Sequence, residues 1–294
     1  MVIERIYGYT FEKLCKAKEI KNADISRRTG ISKSTLSKFI NGELSLKMDQ
    51  MAAALEAIHV DLAEFGLYVN NYRYNYYERY FKKIEQGMLS DNRAALEKTY
   101  DEAVQKGERM IALSAKAHIN GLEEAEITEI SSFTLGVAIF TFYELAILSS
   151  TITEFSPHLI RGTIQDLQKR HKNHGKHMLY RGLVCQIACR AAMACVKHGQ
   201  SVQREAAEAL ALAEKYCHEK DIYSRQLYLF AKGYYELVHG TGSEHKHGLE
   251  EMKNVIQVFE WSGSKQLARF YQKKYGPNFE RYEKKFLTET FFGV

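Results

Sequence analysis

Proline occurs only twice in the 294 residues, at Pro157 and Pro277. The 19 glycines are spaced between long periodic stretches instead of clustering. Strand-like alternation closed by a two-residue glycine turn is absent, which argues against a sheet or barrel. With so few breakers and abundant Ala, Leu, Glu and Lys, the chain is expected to be helical nearly throughout. Also missing are a phosphate-cradling glycine loop, a Gly-x-Ser-x-Gly nucleophile elbow and a His-Glu-x-x-His zinc motif. Their absence leaves catalysis without a recognisable foothold, and no enzymatic role is expected.

Cysteine is sparse, and Cys15, Cys185, Cys189, Cys195 and Cys217 form an odd set without the spacing of a disulfide framework. The opening MVIERIYGYT lacks the apolar core of a signal peptide. Both features fit a reducing, cytoplasmic setting. Cys185 and Cys189 stand one helical turn apart and could offer two thiolates to a metal. Their surroundings, LVCQIACRAAMACV, are apolar, so small packing residues are the favoured reading. In HKNHGKH, His171, His174 and His177 recur every third residue, but Gly175 interrupts them and no Cys or carboxylate joins the run. That segment reads as a solvated loop, and neither metal nor other cofactor is expected. One stretch, Phe133 to Ile152, invites a membrane reading, but Thr141, Glu144 and the paired Ser149 and Ser150 interrupt it. An ionised Glu at mid-bilayer is costly, so a buried helix is expected and no membrane partner.

What the chain does have is charge gathered near one end. The net charge of +5 is modest. Between Lys13 and Lys38, however, eight basic residues stand against only Glu19 and Asp24. A concentrated basic patch is the footprint expected of a phosphate-binding face.

Within that patch, DISRRTGISKSTLSKFINGELS reads as two short helices joined by a tight turn. Asn22 to Thr29 forms the first. Gly30 supplies a left-handed residue that stops it, and Ile31 plugs the turn into the core. Ser32 caps the second helix, in which Leu36, Phe39 and Ile40 share one face at i, i+3, i+4 spacing. The opposite face carries Lys33, Ser34, Ser37, Lys38 and Asn41, and Asn41-Gly42 ends the helix. An apolar inner face with a donor-rich outer face is what a recognition helix in the major groove of double-stranded DNA requires. Arg27, Arg28 and Thr35 complete the expected DNA-binding set, Arg28 as a phosphate contact. A further helix over Ser45 to Ile58 should bury Met48, Met51, Leu55 and Ile58, matching Phe11, Leu14 and Cys15 on the first helix.

From about Ile6 to Phe65 the chain resembles the lambda-repressor-like (Cro/C1, or XRE) helix-turn-helix family. Ile25, Ser26, Gly30, Ile31, Ser32, Leu36, Ser37, Phe39, Asn41 and Gly42 carry the resemblance. The chain departs from the family pattern in having Asn22 and Ala23 where a glutamine is common, and Ile40 where a glutamate is usual.

The expected organisation is a helix-turn-helix domain over 1–66, an aromatic linker helix over 67–84 and a helical-repeat regulatory and dimerisation domain over 85–294. Tyr72, Tyr74, Tyr76, Tyr77 and Tyr80 crowd the linker, suiting a domain or dimer joint more than stacking on single-stranded bases. Beyond it, eleven amphipathic helices are expected between 92 and 288, with 264–275 and 278–288 as separate elements on either side of Pro277. Short breaks between long helices imply antiparallel pairs, hence an all-α chain ending in a TPR-like α-solenoid without a strict 34-residue repeat. Trp261, Tyr234 and Tyr235 fall at helical spacing and are expected to pack.

The stretches FTFYELAILSSTITEF (140–155), LFAKGYYELVHGTG (229–242) and IQVFEWSGSKQLARFYQKKY (256–275) resemble the regulatory domain of the Rgg/MutR family. The resemblance implies a homodimeric transcription regulator whose solenoid binds a short, largely apolar signalling peptide and whose target is an inverted-repeat operator. It places the chain with the peptide-sensing quorum regulators of Gram-positive bacteria. Relatives in that group often hold the peptide with an asparagine on a central inner helix. No Asn lies between Asn173 and Asn254 here, leaving Gln186 or Arg190 to substitute. Arg181 and Lys232 complete the expected peptide-binding set. A constitutive repressor whose solenoid only dimerises, and a helical-repeat adaptor, are the alternatives.

Overall fold

The spacing of breakers in the first seventy residues produces five helices: α1 (Val2–Ala17), α2 (Asn22–Thr29), α3 (Lys33–Ile40), α4 (Met48–Glu56) and α5 (Leu62–Val69). The computed structural model describes residues 2–170 and 177–292, and the chain divides at Arg79–Tyr80 into two units. His171 and His174 lie outside the described residues.

The core of the first unit is built from the expected stripes. Phe11, Leu14 and Cys15 of α1 meet Ile25, Ile31, Leu36 and Phe39, and Met51, Leu55, Ile58 and Phe65 close the cluster. The rings of Phe11 and Phe39 meet edge to face, 5.7 Å between centroids. α1 crosses the end of α3 at Gly8, where an added Cβ would stand 2.2 Å from the Phe39 carbonyl oxygen. Only a residue without a side chain permits that approach. Met48 departs from expectation. α4 begins there and not at Ser45, and Met48 is 72% exposed. The extended stretch before it lays Leu44 and Leu46 against the core instead.

The tyrosine-rich linker is not one continuous helix. α5 ends at Val69, and Asn71 and Tyr72 adopt left-handed φ values of 50° and 55°. Helix α6 (Tyr76–Leu89) then restarts under a reciprocal cap. The Glu78 N–H donates to Asn75 Oδ1 at 2.9 Å, and the Asn75 N–H to Glu78 Oε2 at 3.0 Å.

In the second unit α6 is followed by α7 (Arg93–Gln105), α8 (Arg109–Lys116), α9 (Glu124–Gly136), α10 (Phe142–Thr151) and α11 (Pro157–Arg170). Then come α12 (Met178–Val196), α13 (Gln203–Tyr216), α14 (Ile222–His239), α15 (Ser243–Trp261) and α16 (Lys265–Phe292). There is no strand among the described residues. Consecutive helices pack as pairs, α7 with α8, α12 with α13 and α14 with α15, giving the all-α repeat architecture expected of an α-solenoid. α12 is the axis of this unit, lying against α10, α13 and α14.

The stretch 133–152 divides between α9 and α10, with a non-helical passage over 137–141. Glu144 sits in buried α10 because it completes a capping box: the Thr141 N–H donates to Glu144 Oε2 at 2.7 Å and the Thr141 hydroxyl at 2.6 Å. Among the described residues one helix, α12, is long and apolar enough to cross a membrane, and 67% of its apolar window is buried inside the fold. Cys185, Cys189 and Cys195 of that helix are fully buried. Burial pushes the Cys195 thiol up to about 12 and the Cys15 thiol to about 11. Cys15 and Cys195 are thus protonated, and all four buried thiols serve as packing residues.

Pro277 lies inside α16 instead of dividing it. A proline removes one N–H from the helical ladder. The buried rings of Tyr271 and Tyr275 before it and Phe279 after it hold the helix in place. Tyr271 and Tyr275 pack on Phe230 at 4.7 and 5.0 Å between centroids. Trp261 does not pack. It is the last residue of α15 and is 79% exposed.

Candidate nucleic-acid interface and interior cavity

The turn between α2 and α3 is formed as its residues require. Gly30 has φ 74°, and its N–H donates to the Ser26 carbonyl at 2.9 Å. Ser32 Oγ accepts the Thr35 N–H at 3.0 Å, capping α3. Thr35, half-buried, keeps its own hydroxyl 2.8 Å from Ser32 Oγ. With Leu36 and Phe39 turned inward, Lys33, Ser34, Ser37, Lys38 and Asn41 are all exposed on the outer side of α3. The Asn41 side-chain amide donates to Glu43 at 3.2 Å. Two short helices at a glycine corner thus hold a row of hydrogen-bond donors and cations on one accessible face. That is the arrangement by which a helix reads base edges while neighbouring groups hold phosphates.

The two arginines of α2 differ. Arg27 is exposed and lies 3.3 Å from Asp24. Arg28 Nη1 donates to the Ala57 carbonyl at 2.8 Å. Its guanidinium serves the C-terminal end of α4, where orphan carbonyls and the helix dipole favour a cation. Lys18 acts similarly two residues further on, donating to the His59 carbonyl at 3.2 Å.

The second unit encloses a cavity of about 360 Å³, within the range of small-ligand sites. Its wall draws on α6, α7, α10, α12, α14 and α16 and on the turn that follows α8, and includes His118, Ser149, Glu154, Arg190, Lys197, Tyr223, Tyr271 and Lys274. Arg190 donates from Nη1 to the Ser149 carbonyl and, at 3.1 Å, to its hydroxyl. Burial, with the charges of Arg190 and Lys274, pushes His118 down to about 4, so its ring is neutral near pH 7. Burial together with Lys197 and Arg190 lowers the Lys274 ammonium to about 8. The Lys274 side chain nonetheless remains accessible to water, as befits the mouth of a concavity. Burial also raises the phenols of Tyr223 and Tyr271, keeping them neutral donors.

Of the four residues expected to bind peptide, Arg190 lines this cavity, whereas Arg181, Gln186 and Lys232 are not part of its wall. Arg181 and Gln186 are half-buried elsewhere on α12. Lys232 is exposed on α14, 3.7 Å from Glu236. His118, Lys197, Tyr223 and Lys274 were not singled out from the sequence. Lys274 lies within QKKYG beside a second lysine, Lys273, and nothing local distinguishes the two. Among the described residues no His, Cys, Asp and Glu cluster could hold a metal ion.

No curated protein sequence matches the chain. Several solved structures match its fold. The SHP pheromone receptor Rgg2 of Streptococcus dysgalactiae superposes with a TM-score of 0.73 at 17% identity, over 92% of this chain and 99% of that one. A Listeria monocytogenes EGD-e protein gives 0.77 at 14% identity, over 96% and 99% of the two chains. Bacillus thuringiensis PlcR, in complex with the peptide PapR7 and DNA, gives 0.60 at 10% identity, over 90% and 99%. Residues 10–69 match the Cro/C1-type HTH DNA-binding domain. Residues 68–273 match the C-terminal domain of the HTH-type transcriptional regulator Rgg. Carrying both domains in that order, with α3 presented for DNA, the chain belongs to the Rgg family of helix-turn-helix transcriptional regulators.

Proposed function

We propose that this regulator binds an inverted-repeat operator as a homodimer and changes its operator affinity when a short, largely apolar peptide enters the second unit. It acts in the cytoplasm, by binding and not by catalysis. The observation that carries the reading is the water-accessible cavity beside Arg190, in a fold shared with a pheromone receptor and with a regulator bound to peptide and DNA. Within the DNA-binding set, Lys33, Ser34, Ser37 and Asn41 read bases, and Arg27, Lys38, Ser32 and Thr35 place the helix on the backbone. Arg28 supports α4.

Peptide binding alters DNA binding only if the peptide prefers one arrangement of the DNA-binding units over another. Fluorescence anisotropy on duplexes from the DNA flanking the gene, with and without synthetic peptides encoded in that DNA, tests both halves. The expected result is a specific duplex whose affinity shifts with one peptide. Specific binding that no such peptide alters would reduce the second unit to a dimerisation scaffold.

A further inference from the structure

Four cationic side chains converge on the cavity wall: Arg93, Arg190, Lys197 and Lys274. Arg93 is engaged outside it, with Glu97 at 2.9 Å and the Asn120 side-chain carbonyl at 2.7 Å. The other three have no carboxylate partner among the described residues. Of the acidic groups on the wall, Asp91 pairs with Lys273, and Glu154 accepts from the Leu122 N–H at 3.4 Å. Glu154 acts on Lys274 through its field alone. Arg190 is held in position by Ser149, and Lys274 lies over the rings of Phe270 and Tyr275 at 5.4 and 6.0 Å. His118, neutral near pH 7, adds a polar group without further charge.

Gathering like charges in a concavity is unfavourable unless something negative joins them. An entering anion would meet a fixed guanidinium fork and an ammonium, and the repulsion between them would fall. The neighbouring wall is aromatic and apolar, with Tyr223, Tyr271, Phe270 and Met193. That combination suits a carboxylate attached to an apolar body better than a free inorganic ion.

We propose that Arg190 and Lys274, with Lys197 at the rim, form an anion subsite that anchors a carboxylate of the bound peptide. The inference rests on the peptide-sensing reading above and specifies its chemistry. The carboxylate comes from the peptide C-terminus or from an acidic side chain, and one experiment separates the two. The probe is a library of N-acetylated apolar octapeptides, each made as free acid and as C-terminal amide, with and without one Asp or Glu. The full-length protein captures them and mass spectrometry counts them.

Free acids should be enriched over amides by at least about tenfold, since losing one charge-assisted hydrogen bond weakens binding by about that factor. In Arg190→Gln and Lys274→Met the ratio should fall toward one, and Lys274→Arg should restore it. Lys274 is solvent-accessible, so its variants are expected to fold, which circular dichroism checks even if Arg190→Gln does not. Equal capture of acids and amides, confined to peptides with Asp or Glu and lost in the same variants, supports the subsite with a side chain as the source. Capture indifferent to every carboxylate and unchanged in Lys274→Met overturns the subsite and leaves peptide sensing standing. No capture of any peptide overturns both.

Discussion

Arg28 and Ala57 are joined by a hydrogen bond of 2.8 Å, from the guanidinium Nη1 to the carbonyl oxygen of the residue that caps the C-terminal end of α4. The contact spans 29 positions in sequence. It turns a side chain in the most basic segment of the chain toward the protein instead of toward DNA. A cation at a helix C-terminus stabilises carbonyls that have no partner within the helix.

Arg28→Ala should therefore lower the thermal stability of the first unit by about 1 kcal/mol, a charged hydrogen bond discounted for its exposure. Hydrogen exchange should quicken at the end of α4 and the following turn. A variant with unchanged melting and exchange but weaker binding to every duplex would return Arg28 to the phosphates.

On the exposed side of α3 the roles divide differently. Lys33→Ala or Ser34→Ala should narrow the gap between specific and non-specific affinity by about 1–3 kcal/mol per base pair contacted. Lys38→Ala should weaken all duplexes alike and reduce the salt slope by about one. Anisotropy titrations at several salt concentrations measure both quantities. Equal losses on operator and random DNA in all three variants would refute the division.

Two glycines invert the usual helix rule. Alanine normally stabilises a helix by about 1 kcal/mol relative to glycine. A Cβ at Gly248 would stand 2.4 Å from the Gly233 carbonyl oxygen and 2.6 Å from the Leu237 nitrogen, forcing α14 and α15 apart. Gly248→Ala should instead cost about 1–3 kcal/mol, read by chemical denaturation of the second unit. Gly8→Ala, 2.2 Å from the Phe39 carbonyl, should weaken the first unit and operator binding together. Stabilisation in either variant would show that the helices can part cheaply.

The second unit should lose stability as the pH falls below neutrality. His118 has a folded-state value near 4 against 6.5 for the free side chain. The unfolded chain therefore binds more protons between these values, and stability rises with pH across that window. The contribution lost on acidification from pH 6.5 to pH 4 is at most about 3 kcal/mol. In His118→Gln the dependence should be shallower than in wild type by part of that amount, since carboxylates elsewhere titrate equally in both. Parallel curves of melting temperature against pH would mean that His118 takes up its proton without penalty.

Analytical ultracentrifugation at micromolar concentration should show a dimer, and two copies per operator. One helix-turn-helix unit buries too little surface to hold a site at physiological salt, so two half-sites about 34 Å apart are expected. A monomer bound as a single copy would contradict this.

The helix-turn-helix was legible because its determinants are local. Gly30 at a left-handed turn, Ser32 at a cap, and Leu36 and Phe39 one turn apart each act within a few residues, and the structure places all four as expected. Met48 shows the limit of such reasoning: period alone put it inside, whereas Leu44 and Leu46 supplied the apolar cover just before the helix began. The same limit applies to Trp261, which has helical spacing but falls at the last position of its helix and is left exposed.

Composition and period by themselves determined that the chain is helical, where its recognition helix lies and which side of that helix faces out. Only the tertiary structure decided that Arg28 belongs to α4, that Pro277 sits within a helix braced by Phe230, and that Lys274 stands near Arg190, 84 positions away in the chain. A helical period fixes the side of the helix on which a residue lies. It carries no information about which distant helix packs against that side, and a cavity assembled from six helices exists only once those pairings are made.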